Sequence, residues 1–354
     1  MSVNLRCVSH RILLVLCLAL AVGLPARAAT PPPEHARAEF EPLHIAFHPK
    51  ATFLPPKSQP LLMALGARQL RVYDFANAAK PALRFAVAVQ AAAAAFTHDG
   101  ERIVTAGADG MLRFWALDGT QVGAPVRASD KPLVALAVST RGRFIATLDE
   151  MLRVRLWRAE GLAPVLTLSL SRQKVDSPCA HGGVAVSPDE KFIAAISCTN
   201  DVYLWTAAGA PVPVAGGKSG YEACCGVGIG FSRDGRQLVV KRSFQPGHDG
   251  YLAPVMSGRA GKLGAFPGVA ELRLFAPTEA LAGDPQQLLI ADIVGIRFVT
   301  FNGTPRGPSL MRADDAQFVR AIAATDDASA IAAITGESLI VLPTNGAAIT
   351  APLR

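Results

Sequence analysis

The chain has 354 residues, half of them apolar and 18% charged, with 6 cysteines and a formal net charge of +7. That composition excludes a disordered or low-complexity chain and supplies ample apolar material for a buried core. Arg6, Arg11 and Arg27 contribute three of the seven charges, so the chain beyond residue 28 carries about +4. Without a basic stripe, an aromatic platform or a named motif, it is not read as a nucleic-acid binder.

Residues 1–28 have the pattern of a secretory signal peptide. Arg6 and Arg11 charge its start, Ile12 to Leu24 is an apolar run short for a membrane span, and Ala26-Arg27-Ala28 is a small-x-small cleavage site. The expected mature chain starts at Ala29, contains no membrane span and resides in the periplasm or is secreted. Residues 29–42, with Thr30 to Pro33 reading TPPP, form an extended leader. Residues 43–354 read as one domain.

Phe96 to Gly119 sets the pattern for that domain. An apolar strand ends at Phe96, Thr97-His98-Asp99-Gly100 turns, Ile103 to Ala106 is a second strand, Asp109-Gly110 turns again, and Leu112 to Leu117 is a third. Equivalents of Trp115 fall at Tyr73, Trp157, Trp205, Val255, Val299 and Leu342, in steps of 42 to 50 residues. Equivalents of Phe96 are Phe47, Val138, Val186, Phe231, Phe275 and Ala324. In the fifth copy, Asp249-Gly250-Tyr251-Leu252 repeats Asp109-Gly110-Met111-Leu112. A fourth strand closes each copy, as in GTQVGAPVR (119–127), GTPRGPSLMR (303–312) and GAAITAPLR (346–354). Self-similarity at this period marks an array or propeller. Helical periodicity is nearly absent, so the expected class is all-β.

The strings LRFW, VRLW and VYLW, with SPDEK or SRDGR at the first turn, resemble the WD-repeat β-propeller family in its divergent bacterial form. The resemblance covers roughly residues 43 to 354 and implies a single seven-bladed propeller of four-stranded antiparallel blades. It also implies an interaction or scaffold function rather than an enzyme, with no cofactor. The family's Gly-His pair is missing from every copy, and its Asp after the third-strand aromatic survives only as Asp74, so these blades are expected to rely on packing. Since Ala347 to Leu353 already supplies an outer strand, the ring is expected to close without borrowing an N-terminal strand.

Cys179, Cys198, Cys224 and Cys225 remain beyond the signal, an even number that favours disulfides in an exported chain. The hairpin around Ser187 to Lys191 is expected to pair residues whose numbers sum to about 377 or 378, which sets Cys179 opposite Cys198. Cys224 and Cys225 are either further disulfide partners or two buried thiols. A vicinal bond between them is similar to one feature of quinone-cofactor propeller dehydrogenases, but those carry tryptophan-rich docking motifs in every blade, and this chain has Trp115, Trp157 and Trp205 alone. A soft metal on the four sulfurs and His181 is a further chemical alternative, with a spacing that matches no ligand pattern. These alternatives together describe a cofactor, metal or enzyme site on the cysteine-rich face near the fourth and fifth copies.

His48 and His98 fall at turns and read as solvated residues. The pairs Asp149-Glu150, Asp314-Asp315 and Asp326-Asp327 read as solvated turn carboxylates, and Asn302-Gly303-Thr304 as a turn despite fitting a glycosylation sequon. Departures from the minimal repeat concentrate in Leu170 to His181, Ala215 to Gly226, Ser243 to Asp249 and Ser257 to Val269, all expected on one face. They hold Arg172, Lys174, Lys218, Tyr221, Phe244, His248, Arg259, Lys262 and Phe266, a mixture suited to binding a partly acidic protein or peptide. The chain is expected to act as a monomer. Ala51 to Pro60 lengthens the first turn on the opposite face, and Phe53 reads either as an anchor for a partner or as part of a plain loop.

Overall fold

A computed structural model describes residues 42–53, 60–77, 81–170, 182–218, 228–232, 234–243, 248–256, 259–260, 264–266, 271–275, 287–292, 295–300, 305–312, 319–326, 329–335, 338–343 and 347–353. The chain divides into two compact units, Met1–Glu39 and Phe40–Arg354, and all described residues belong to the second. The expected signal peptide lies outside the described residues, as does the leader except for Pro42.

Among the described residues the fold is all-β, built from sheets of consecutive antiparallel strands. The first sheet contains β1 (Pro42–Phe47), β2 (Leu61–Gly66), β3 (Gln69–Asp74) and β4 (Ala82–Ala88). The second contains β5 (Ala91–Phe96), β6 (Arg102–Gly107), β7 (Met111–Ala116) and β8 (Gln121–Arg127), and the third β9 (Leu133–Val138), β10 (Phe144–Asp149), β11 (Arg153–Arg158) and β12 (Pro164–Ser169). The fourth contains β13 (Gly183–Val186), β14 (Phe192–Ile196), β15 (Val202–Thr206) and β16 (Pro211–Val212). The fifth contains β17 (Gly228–Phe231), β18 (Gln237–Ser243), β19 (His248–Met256), β20 (Arg259–Ala260) and β21 (Gly264–Phe266). Then follow β22 (Glu271–Phe275), β23 (Gln287–Asp292), β24 (Gly295–Thr300) and β25 (Pro305–Arg312), and finally β26 (Val319–Ala324), β27 (Ala330–Thr335), β28 (Ser338–Pro343) and β29 (Ile349–Pro352). Each residue aligned with Phe96 is the last residue of its sheet's first strand, and each residue aligned with Trp115 lies in a third strand.

Burial explains why these short segments are strands. Side chains alternate across a strand, so a strand covered on both faces must be apolar at every position. In β2, Leu61, Met63 and Leu65 pack toward the second sheet, while Leu62 and Ala64 pack toward the last one. In β14, Ile193 and Ala195 face the third sheet, and Ala194 and Ile196 face the fifth. The fourth strands β4, β8 and β12 are largely exposed and carry polar residues. The alanines of β5 are small enough to let first strands crowd together.

The three tryptophans each face the preceding sheet and are buried. Packing alone does not hold them, as the sequence reading expected. The Trp115 indole donates to Thr105 Oγ1 at 3.0 Å, and Trp157 to Thr147 Oγ1 at 3.1 Å. Ten residues before Tyr73 and Trp205 stand Met63 and Ala195, neither of which can accept such a bond, and the buried Tyr73 hydroxyl is unpaired. Two further expectations change in the fifth sheet. Asp249-Gly250 is not a turn, because it lies within β19 and pairs with Lys241 and Arg242. Within Ser257 to Val269 the described residues form a divided fourth strand, with β20 opposite Val255-Met256 and β21 opposite Gly250 to Leu252.

The last sheet uses its own four strands among the described residues and packs directly on the first, sharing one core. Phe53 belongs to that core: it is 5% exposed and packs against Phe47 and Phe75, which excludes the reading of it as an anchor for a partner. Its backbone N–H donates to Ser329 Oγ at 2.7 Å across the seam. A second seam contact repeats an internal one. Arg155 of β11 donates to the carbonyl of Ala128, just after β8, at 2.6 Å. Arg71 of β3 donates to the carbonyl of Leu353, just after β29, at 2.9 Å. Leu353 thus substitutes for the link that joins adjacent sheets elsewhere. Losing a charged hydrogen bond to a buried carbonyl costs about 2 kcal/mol, so Arg71→Met is expected to lower the Tm by about 3 °C in a domain of this size. Deleting residues 347–354 should be far more damaging. Calorimetry of both variants checks this, with the exposed Arg68→Ala as a control of little effect.

Candidate functional site

Turns between first and second strands emerge on one face, here called the turn face. Links between sheets and turns between second and third strands emerge on the other, the link face. The predicted partner residues belong to the link face near the fourth and fifth sheets. Arg172, Lys174, Tyr221, Phe244 and Lys262, with Cys179, Cys224 and Cys225, lie outside the described residues, as do Asp314-Asp315 and Asn302-Gly303-Thr304.

The remaining predicted partner residues are not all brought together. His248 pairs with Ser243 and Phe266 with Gly250, both at the link-face end of β19. Arg259 pairs with Met256 instead, six residues further along β19 than Gly250, which is about 20 Å at 3.3 Å per residue. It stands toward the turn face. Lys218 is exposed, yet its position is fixed: Nζ lies 3.9 Å above the Tyr203 ring and 3.3 Å from Asp201 Oδ2. Tyr203 stacks in turn on Trp205. Burial acts to lower the Lys218 pKa, but Tyr203 and Asp201 outweigh it and hold the ammonium above its usual range.

Cys198 is partly buried against the core between the third and fourth sheets. The β13–β14 hairpin pairs Gly183 with Ile196 and Val186 with Ile193, so its register sum is 379. That sum exceeds the expected 377 or 378, because the turn Ser187 to Lys191 accommodates more residues than the sequence reading assigned; Cys179 itself lies outside the described residues.

Asp149 overturns the expectation of solvated turn carboxylates. It is fully buried, and Asp149 Oδ2 accepts from Ser129 Oγ at 2.7 Å and Arg153 Nε at 2.8 Å, while Arg155 Nη1 lies 3.5 Å away. Its other oxygen accepts from the backbone N–H groups of Met151 and Arg153. Arg153 also pairs with Asp130. The sequence does contain a signal: Asp149 stands four residues before Arg153 within DEMLR, as Asp109 stands before Arg113 within DGMLR, and Arg113 does bind Asp109. A carboxylate so fully satisfied ties the second and third sheets together and has no oxygen left for proton transfer. Among the described residues there is no cluster of three or more His, Cys, Asp or Glu suited to a metal.

On the turn face, polar contacts join neighbouring turns. Glu190 occupies the left-handed position that Gly100, Gly142 and Gly235 fill in their turns, with φ of 59°. An L side chain is strained there. The buried Glu190 carboxylate accepts from Ser139 Oγ at 2.6 Å and from the Arg143 N–H and guanidinium of the adjacent sheet. Burial opposes its ionisation, but these donors outweigh that and hold its pKa below the usual range.

His48 is the second correction, since it is 1% exposed rather than solvated. Its Nε2 lies 2.9 Å from the Gly100 carbonyl of the second sheet, and the Lys50 N–H donates to Nδ1 at 3.1 Å. Both contacts are satisfied by one neutral tautomer, with the proton on Nε2. The other predicted turn histidine, His98, is exposed as expected.

With this geometry in place, comparison with known proteins adds one match. A family model described as WD domain, G-beta repeat (WD40) matches residues 87–116. The matched segment runs from the end of β4 through β7. The repeat match and the four-stranded antiparallel sheets fit a WD-repeat β-propeller family, and a WD40 repeat points to a protein-interaction or scaffold module. No curated protein matches the chain.

Burial lowers the His48 pKa, with the charges of Lys50 and Arg84 adding to it and Gly100 and Asp99 opposing. A lowered folded-state pKa means that the neutral ring stabilises the fold above the unfolded value of about 6.5, and that this contribution is lost as pH falls through the folded value. His48→Asn retains an acceptor for the Lys50 N–H but cannot reach Gly100. The variant is expected to be less stable at pH 7.5 and to lose less stability than wild type between pH 6.5 and 5, measured by urea denaturation at each pH.

Proposed function

We propose that residues 43–354 form a closed, seven-bladed β-propeller, exported after cleavage at Ala28, that acts as a monomeric scaffold. It binds a partly acidic protein or peptide on the link face near the fourth to sixth sheets. The ring is supported by the order of the first strands: β1, β5, β9, β13, β17, β22 and β26 are neighbours in turn, and β26 again neighbours β1. This reading is supported by the WD40 match together with the fifth sheet, which among the described residues departs from the common plan. The fifth sheet has a nine-residue third strand, and β18 and β19 continue pairing through Arg242↔Asp249 and Ser243↔His248. Other sheets close with third strands of five or six residues. Lys241, Arg242 and His248 lie at the link-face end of this longer pairing, with Phe266 in the neighbouring strand, a composition suited to an acidic partner.

Cys198 stands just beyond the link-face end of β14, and a disulfide between it and Cys179, with or without a second involving Cys224 and Cys225, would pin the base of this surface. The role is non-catalytic and needs no cofactor. Intact-mass analysis of envelope-derived protein is expected to give an N-terminus at Ala29 and at least one disulfide, whereas a full-length chain with free thiols would overturn export and the bond together. Replacing Tyr221, Phe244 and Phe266 by Ala, with an unchanged Tm, is expected to remove the principal partner recovered when the wild-type chain is used as bait in an envelope extract.

A further inference from the structure

The contact between the first and last sheets is built differently from the others. No peptide link joins the two, and Phe53, Tyr73 and Phe75 enter one core with Ala330, Ala332 and Ile334. Polar ties across it run from the Phe53 N–H to Ser329 Oγ and from Arg71 to the Leu353 carbonyl. The Tyr73 hydroxyl is buried without a partner, although Tyr73 stands where Trp115 and Trp157 each donate to a threonine. An unpaired buried hydroxyl costs free energy that contact with water returns. Opening this contact is therefore opposed less than opening those of Trp115 and Trp157.

Phe53 reaches the shared core on a turn whose start is fixed by His48. The Ala51 N–H donates to the His48 carbonyl at 2.8 Å, and the Lys50 N–H donates to Nδ1 of the ring at 3.1 Å. Nε2 carries its proton toward the Gly100 carbonyl, and the ring stands edge-on to Phe96 with centroids 5.2 Å apart. A second proton has no acceptor, because on Nδ1 it would point at the Lys50 N–H, donor against donor. The ring cannot move deeper, since a Cβ on Gly100 would already fall 2.2 Å from Nε2. Nearby charge does not rescue an imidazolium. Lys50 on the same turn and Arg84 of β4 oppose it, while Asp99 of the facing turn favours it. His98, Glu101 and Arg102 complete that facing turn, and β2 and β5 carry no charged residue. A protonated ring reaches water by swinging out with its own turn.

We propose that the seam between the first and last sheets opens locally and that His48 is its acid-operated latch. Protonation of the ring releases the turn from His48 to Phe53, draws Phe53 out of the seam and admits water to the Tyr73 hydroxyl, while the other sheets stay packed. Such local opening is distinguished from a loss of global stability by where amide protection is lost. The released ring titrates near its ordinary value of about 6.5, so acidification to pH 5 multiplies the open population by at most about thirtyfold.

The test is residue-resolved hydrogen–deuterium exchange on the full chain at pH 7.5 and 5.0, corrected for the intrinsic exchange rate. Protection of the Lys50, Ala51 and Phe53 amides is expected to fall by at least about fivefold on acidification, and that of Leu148 and Ile193, in second strands away from the seam, by less than about twofold. His48→Asn is expected to remove this acid response, with the turn amides less protected than in wild type at pH 7.5. Tyr73→Phe, which deletes the unpaired hydroxyl, should raise Phe53 protection at both pH values and leave the acid response in place. Equal loss of protection in all sheets, an undiminished acid response in His48→Asn, or no gain of Phe53 protection in Tyr73→Phe would overturn the proposal. If His48→Asn does not fold, the wild-type pattern and Tyr73→Phe decide.

Discussion

The structure depends on burial of the second strands on both faces. A strand such as β2, with every side chain buried, is stable only between two neighbouring sheets. No sheet of this kind can stand at an open end, so the first must meet the last. That requirement accounts for the shared core of Phe47, Phe53 and Phe75 with Ala330, Ile334 and Leu353. It also explains why Arg71 reaches across to Leu353 as Arg155 reaches to Ala128: the same packing geometry is met where no peptide link exists.

Polar groups take part in the same logic. Burying Asp149 or Glu190 without partners would be costly, and each is satisfied by donors that belong partly to the neighbouring sheet or its link. The result is register as much as stability, since the sheets can slide past one another only by breaking these contacts. His48 does the same between the first and second sheets with a neutral ring. These charges are fully occupied in holding the fold.

The division between structure and function can therefore be followed around the molecule. Lys218 illustrates the boundary, for it is exposed and yet held by Tyr203 and Asp201, which leaves it a directed charge rather than a mobile one. An immobilised cation loses little conformational entropy on binding, so it favours a partner more than a free lysine would.

Strand order and strand ends were legible in the sequence. Phe96 and its equivalents end first strands, and Trp115 and its equivalents lie in third strands, because alternation and turn chemistry act over a few residues and are written locally. The fourth-strand matches at 121–127, 305–312 and 349–352 were legible for the same reason. What the sequence could not reveal was which polar residues would be buried. His48 and Asp149 look like ordinary turn residues until an adjacent sheet covers them, and their partners Gly100 and Ser129 lie 52 and 20 residues away. Arg259 likewise joined the wrong group, since a loop reading places it by proximity in the chain, whereas its pairing with Met256 carries it to the far end of β19. Local hydrogen-bonding preference determines strands and turns one repeat at a time. Burial and charge pairing depend on what the next sheet places opposite, which only the assembled structure decides.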